Sequence, residues 1–303
     1  MTASFDALLG RRVLVTGGTG FLGSHLFPAL TSAGAAVHVF RGDIAEGAAL
    51  RAAVESARPH LVFHLAAYGT TLLQRDEARM RAVNEGGVEW LWKALDGWPC
   101  RIVQTGTCAE YGPATGPLRE ERECRPVSVY AQTIHAAVSY SLDRARASGR
   151  ELVVLRPFGP YGPRDRPERL MPHVITGLLA GERVEVTAGA QRRDYSYVDD
   201  HIRAMLLAAT RPLVDTARVY NVASGVPITV RSLVEAVAAA VSPTAIARVA
   251  FGAEPYRPHD LADMYADTTA ARRELEYEPA VSLADGLART VAAYRLALQG
   301  VTP

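Results

Sequence analysis

At 303 residues, almost half of them hydrophobic (49%), the chain can bury a large core and is expected to form two lobes. No stretch stays apolar for the ~18 residues of a membrane span, and Met1–Gly10 lacks the basic-then-apolar pattern of a secretion signal. A formal charge of +1 with no basic block argues against nucleic-acid binding. Cys100, Cys108 and Cys124, odd in number and without metal-ligand spacing, read as reduced thiols of a cytoplasmic protein with no metal site.

The first element is an apolar strand, Val13-Leu14-Val15-Thr16, that enters the glycine turn Gly17-Gly18-Thr19-Gly20-Phe21-Leu22-Gly23 and then a helical pattern from Ser24 to Ala33. Glycines at 17, 20 and 23 permit a tight turn, a close approach of a pyrophosphate to the backbone, and close helix–strand packing. The helix that follows points free N–H groups and its dipole's positive end at such a phosphate. Ala36 to Phe40 reads as the second strand, ending Phe40-Arg41-Gly42-Asp43-Ile44. Asp43 suits the ribose 2′-OH of NAD, whereas Arg41 suits the 2′-phosphate of NADP; a simply solvated Arg41 is the third reading.

A helix from Ala48 to Ala57 is followed by a buried strand, Leu61-Val62-Phe63-His64-Leu65-Ala66-Ala67. Asn84-Glu85-Gly86-Gly87 precedes an apolar helix that reaches Leu95, and Ile102 to Thr105 forms another strand leading into Gly106-Thr107-Cys108-Ala109-Glu110-Tyr111-Gly112. This alternation predicts a doubly wound α/β fold, a parallel sheet covered on both faces, with ligands beyond the strands' carboxyl ends.

The set Thr-Gly-Gly-x-Gly-Phe-Leu-Gly, His64-Leu65-Ala66-Ala67, Asn84, Thr107 and Tyr130 resembles the extended short-chain dehydrogenases/reductases that act on nucleotide sugars. Arg156-Pro157-Phe158-Gly159-Pro160-Tyr161-Gly162-Pro163, Gln191 to Asp200, Arg257-Pro258-His259-Asp260 and Tyr265-Ala266-Asp267 resemble that family's later segments, so the likeness covers nearly the whole chain. The resemblance implies a Rossmann-like domain from residues 1–156 plus about 197–226. It also implies a smaller, interleaved substrate lobe from 157–196 plus about 227–303. Thr107 and Tyr130 become the catalytic pair, Tyr130 exchanging a proton with the sugar oxygen while Thr107 orients it. Gly17, Gly20, Phe21, Leu22, Gly23, Arg41, Asp43, Ile44, Leu65, Ala66, Ala67, Asn84, Tyr130 and Pro157 are the expected cofactor residues. Thr107, Cys108, Tyr130, Gly159, Arg193, Arg257 and Asp260 are the expected substrate residues, with Arg193 and Arg257 on the diphosphate.

Two departures sharpen the expectation. The family's Lys, four residues after the Tyr, is Ile134 here, and Gly159 stands where the family often has Asn. A free Tyr has a pKa near 10, so acting as a base at pH 7 costs roughly 4 kcal/mol. A reductase needs the neutral phenol instead, and no acidic pair follows Thr107 as in the dehydratases. The short stretch between Gly34 and Asp43 agrees with the abbreviated reductases. His135 reads as a surface or interface residue, His173 as structural, and Cys108 as a small packing residue or a substrate-side acid.

In the C-terminal half, Arg203 to Thr210, Ser232 to Val241 and Leu283 to Leu298 read as helices, and Tyr220 to Val222 as a late strand returning to the sheet. The expected protein is an NADP-dependent reductase, with NAD the alternative cofactor. Its expected substrate is the 4-keto group of a nucleotide-linked, dTDP-type 4-keto-6-deoxyhexose. A nucleotide-sugar 4-epimerase and a catalytically silent nucleotide-sugar binder are the other readings. The resemblance further implies a homodimer, with Trp90, Leu91, Leu95, Ala136, Ala137 and Tyr140 as the seam; a core-only role for these residues is the alternative reading.

Overall fold

Val13, Leu14 and Val15 are all fully buried, which places their strand inside a sheet covered on both faces. The computed structural model describes residues 5–71, 73–256 and 261–300. In chain order its first half runs β1 (Arg12–Thr16), α1 (Phe21–Ser32), β2 (Ala36–Phe40), α2 (Gly47–Ala57), β3 (Leu61–His64), α3 (Glu77–Met80), α4 (Gly87–Ala94), β4 (Arg101–Thr105), α5 (Val129–Ser148) and β5 (Leu152–Pro157). The second half runs β6 (Pro160–Tyr161), α6 (Leu170–Leu179), β7 (Val184–Val186), β8 (Arg192–Asp194), β9 (Ser196–Tyr197), α7 (Val198–Thr210), β10 (Ala217–Val222), β11 (Pro227–Thr229), α8 (Val230–Val241), β12 (Val249–Phe251), β13 (Asp263–Met264), α9 (Thr269–Leu275) and α10 (Leu283–Leu298).

Six strands form one parallel sheet in the order β10-β5-β4-β3-β1-β2, the Rossmann-like arrangement the alternation predicts. The chain steps from β1 outward to β2 and then back past β1 to β3. The strand order reverses there, opening a crevice beyond the carboxyl ends of β1 and β3. One face is covered by an apolar layer that includes Ile44, Leu50, Val88, Leu91 and Val138. The layer on the other face runs from Leu26 and Leu30 of α1 without a break into Val174 of α6, Val234 of α8 and Leu287 of α10. The short strands make three small sheets, β11-β8-β13, β12-β7 and β6-β9.

Several boundaries differ from the sequence expectation. α1 starts at Phe21 rather than Ser24, because Gly20 itself is the N-cap, without a capping side chain. β3 stops at His64, so Leu65 to Ala67 form the loop on the crevice floor. The apolar helix expected after Asn84 is α4, but Asn84 does not stand in a loop before it. A widened helical turn, Arg81–Gly86, joins α3 to α4, and Asn84 lies within it. α7 begins at Val198, five residues early, following the extended residue Tyr197.

The expected seam is also corrected. Leu91, Leu95 and Ala137 are 1%, 0% and 4% exposed and belong to the chain's own core, because the faces of α4 and α5 that carry them turn toward the sheet. Trp90 remains 38% exposed, lies beside Gly47 of α2, and carries the Lys93 ammonium 4.6 Å from its ring centre.

Candidate active site

The crevice has a volume of about 670 Å³ and is built from the turns the glycine spacing dictates. Gly17 adopts φ +70°, and a Cβ there would stand 2.5 Å from the Ala66 nitrogen. A Cβ at Gly23 would stand 2.4 Å from the Gly17 carbonyl oxygen. Only glycine lets the turn, α1 and the loop after β3 converge this tightly. Since no side chain caps α1, the N–H groups of its first turn face the crevice as a ready anion cradle.

Most expected residues meet on this lining. Gly17, Gly20, Phe21, Leu22 and Gly23 come from the first turn, Arg41, Asp43 and Ile44 from the end of β2, and Leu65, Ala66 and Ala67 from the loop after β3. Thr107 and Cys108 follow β4, Tyr130 opens α5, and Pro157 and Gly159 end β5. Asp43 receives the Arg79 guanidinium at 2.6 Å and the Ala45 N–H at 3.0 Å. Burial works against its ionisation, but those two contacts prevail and hold the carboxyl below the usual range. Arg41 is exposed and makes no hydrogen bond or ion pair among the described residues.

Two expected residues have another place, two lie outside the described residues, and one is hemmed in. Asn84 is off the lining and 1% exposed. Its Oδ1 accepts the Tyr68 N–H at 2.8 Å, and its Nδ2 donates to Tyr68 O and Thr133 Oγ1 at 2.9 Å each, so its amide ties the loop after β3 to α5. Arg193, on β8, donates to the Arg192 carbonyl at 2.8 Å, and its charge still reaches Cys108. Arg257 and Asp260 lie outside the described residues. Gly159 has φ +40°, and a Cβ would meet the Asp194 carbonyl oxygen at 2.3 Å, so β8 leaves no room for the Asn the family often carries here.

Tyr130 sits in the first turn of α5, which starts where Ser128 Oγ accepts the Ala131 N–H at 3.2 Å. Its ring packs against the loop after β3, where a Cβ on Gly69 would stand 3.1 Å from Tyr130 Cδ2. Burial pushes the phenol up to about 12. Thr107 is close enough to favour the ionised form, and Arg169 pulls the same way, but neither overcomes desolvation. Burial likewise raises the Cys108 thiol to about 11, leaving it an un-ionised group on the wall. Ile134 is 6% exposed and packs in the sheet-facing core.

Behind Thr107 lies a charged cluster that sequence reading missed. Thr107 caps a short helical turn, its N–H donating to Glu110 Oε1 at 2.8 Å while its Oγ1 accepts the Ala109 N–H at 3.3 Å. Glu110 is fully buried; its Oε2 accepts from Arg156 Nη2 at 3.0 Å and pairs with His135 Nδ1 at 3.3 Å. Burial opposes ionisation of Glu110, yet His135, Arg156 and the Thr107 N–H outweigh it and keep the carboxyl low. His135 is thus a partner of the buried carboxylate rather than a free surface residue. Glu110, Cys124 and His135 bring ligand atoms within 4.8 Å of one another, but the Arg156 guanidinium already balances that carboxylate's charge. Also missed were Arg166 and Arg169 on the crevice lining. The only signal was the arginine-rich run Arg164-Asp165-Arg166-Pro167-Glu168-Arg169.

Fold and crevice define a Rossmann-like protein of the extended short-chain dehydrogenase/reductase type. The chain belongs to the NAD dependent epimerase/dehydratase family, whose model matches residues 13–223. It is 36% identical over 200 residues to a dTDP-glucose 4,6-dehydratase of Streptomyces griseus, a match covering 64% of this chain and 58% of that protein, less than two thirds of the relative's length. It is 30% identical to a UDP-glucose 4-epimerase of Mycolicibacterium smegmatis, over 94% of this chain and 98% of that one. The solved UDP-glucose 4-epimerase of Thermotoga maritima with UDP-glucose superposes with a TM-score of 0.88 at 28% identity, covering 94% of this chain and 99% of that one. No helix among the described residues is long and apolar enough to cross a membrane.

Proposed function

We propose that this chain reduces the 4-keto group of a nucleotide-linked 4-keto-6-deoxyhexose, of the dTDP type, with NADPH as reductant. The observation carrying this reading is Tyr130, a phenol held neutral by burial with Ile134 in place of a cation on its own helix. A neutral phenol is the right partner for a carbonyl oxygen gaining negative charge, and the wrong one for taking a proton from a sugar hydroxyl.

The uncapped first turn of α1 with Gly17, Gly20 and Gly23 would hold the cofactor's pyrophosphate, and Ile44, Leu65, Ala66, Ala67 and Pro157 its flanking groups. Asp43 is engaged by Arg79, which leaves Arg41 as the exposed charge for a 2′-phosphate and favours NADP over NAD. When bound, the nicotinamide supplies a hydride to the carbonyl carbon. Tyr130 gives its proton to the carbonyl oxygen, and Thr107, fixed by the Glu110 contact to its N–H, orients that oxygen. Cys108 and the backbone of Gly159 line the sugar side, with Arg193 and Arg257 for the diphosphate. Asn84 serves by fixing the loop that carries Tyr68. A homodimer across the exposed parts of α4 and α5, with Trp90, Ala136 and Tyr140 at the seam, belongs to the same reading; light scattering tests it.

The functional experiment is incubation with NADPH or NADH and several nucleotide-linked keto-sugars, following cofactor absorbance and products. Stoichiometric NADPH oxidation that disappears in Tyr130→Phe supports the proposal. The full-length similarity to a UDP-glucose 4-epimerase favours a second reading, 4-epimerisation. Interconversion of two hydroxy-sugars without net cofactor change would establish that reading instead.

A further inference from the structure

Asp165, Arg166 and Arg169, from the segment that leads into α6, form part of the crevice wall and share its lining with Tyr130. This wall is held from both lobes. His25 Nε2 of α1 meets the Pro163 carbonyl at 2.8 Å, and Tyr294 of α10 donates to the Asp165 carbonyl at 3.0 Å. Arg164 takes φ +66°, a conformation L side chains rarely adopt outside sites where the surroundings enforce it. The Asp165 carboxylate, 7% exposed in the whole residue, accepts the Arg166 N–H at 2.8 Å and lies 3.7 Å from Arg169 Nη1. Arg169 is therefore anchored at the N-cap of α6, and its charge bears on Tyr130, Cys108 and His201 together.

Thr107, Cys108 and Arg169 share the crevice lining with the phenol, and their charge or hydrogen bonding, with that of the buried Glu110, bears on it. Cys108 and Glu110 disfavour its anion, and Arg169 is the cation that bears on it most strongly. We propose that Arg169 is a positioning residue that supplies, from the wall of the same crevice, the positive charge that position 134 does not supply from the helix. The proposal rests on the ketoreductase reading. In that reaction a hydride from the reduced nicotinamide adds to the carbonyl carbon, the C=O pair moves onto oxygen, and that oxygen takes the Tyr130 proton. The phenolate left behind is reprotonated from solvent. Arg169 stabilises the anion during that interval and favours its approach to the transition state.

The test compares the full chain as wild type, Arg169→Lys and Arg169→Met. Tyrosine labelled at Cζ is followed by NMR from pH 9 to 12.5 without substrate, a range that reaches the raised phenol, with Tyr130→Phe assigning the signal. Tyr130 in Arg169→Met should begin to titrate about one pH unit later than in wild type, while Arg169→Lys follows wild type. With a keto-sugar, Arg169→Met should lose about tenfold in kcat with KM within twofold, and Arg169→Lys should retain most of the rate. Superimposed titration curves overturn the proposal, as does a raised KM with kcat intact, which would make Arg169 a substrate anchor. If wild type reduces no keto-sugar, the ketoreductase reading falls, and the titration still decides the role of Arg169.

Discussion

The protonation state of Tyr130 predicts opposite pH behaviour for the two directions of one reaction. With the phenol pushed up to about 12 by burial, about one molecule in ten thousand carries the phenolate at pH 8. Supplying that base therefore costs roughly 5 kcal/mol, against almost nothing for supplying the neutral donor. Ketone reduction should accordingly show a flat kcat/KM for Tyr130 from pH 6 to 10. Oxidation of the corresponding alcohol should rise about tenfold per pH unit over the same range, because kcat/KM reports the free enzyme's ionisations. The assay is cofactor absorbance in both directions at subsaturating sugar, for wild type and Tyr130→Phe. Tyr130→Phe should lower reduction by about 10²–10⁴-fold. An oxidation profile that levels off by pH 8 would refute the argument, since it would require a phenol ionising far below the range that its burial imposes.

Glu110→Gln should destabilise the fold by about 3–5 kcal/mol, because it leaves the buried Arg156 guanidinium, 4% exposed, without its counter-charge. Thermal melts of Glu110→Gln and of Glu110→Gln with Arg156→Met decide it, the double variant recovering part of the loss if the unpaired charge is the cause. Gly17→Ala forces a Cβ to 2.5 Å from the Ala66 nitrogen at φ +70°, so a stability loss of about 1–3 kcal/mol and loss of NADPH binding by calorimetry are expected. Unchanged binding would mean the turn yields without harm. His201, buried beside Ser196 Oγ at 2.7 Å, is lowered by burial to about 3. Its depressed value means the unfolded chain takes up a proton first as pH falls below 6.5, so stability is lost in that window. Replacing it by Gln should therefore shrink the stability difference between pH 7 and pH 5 by about 2 kcal/mol in urea titrations.

What the sequence determined by itself is what neighbours along the chain decide. Glycines three residues apart, a β-branched run before them and a helical pattern after them specify the β1 turn and α1, because each depends on φ freedom and side-chain period within a few residues. The same local alternation of strand and helix predicts the parallel sheet, whereas Thr107 and Tyr130 are named by the motifs they share with the extended short-chain dehydrogenases/reductases. Tertiary structure alone decided the rest. Asn84 reads as a crevice residue until the fold spends its amide on Tyr68 and Thr133, 16 and 49 positions away. Leu91, Leu95 and Ala137 fit a dimer seam equally well until the sheet claims their faces as core. Gly159 looks like a lost contact until β8 is seen to occupy the space a side chain would need. Glu110 gathers His135 and Arg156 from 25 and 46 residues away, and Arg169 joins Tyr130 on one crevice lining from 39 positions further along the chain. Such pairings are set by chain crossings and desolvation, and a single sequence carries no local period or spacing that encodes them.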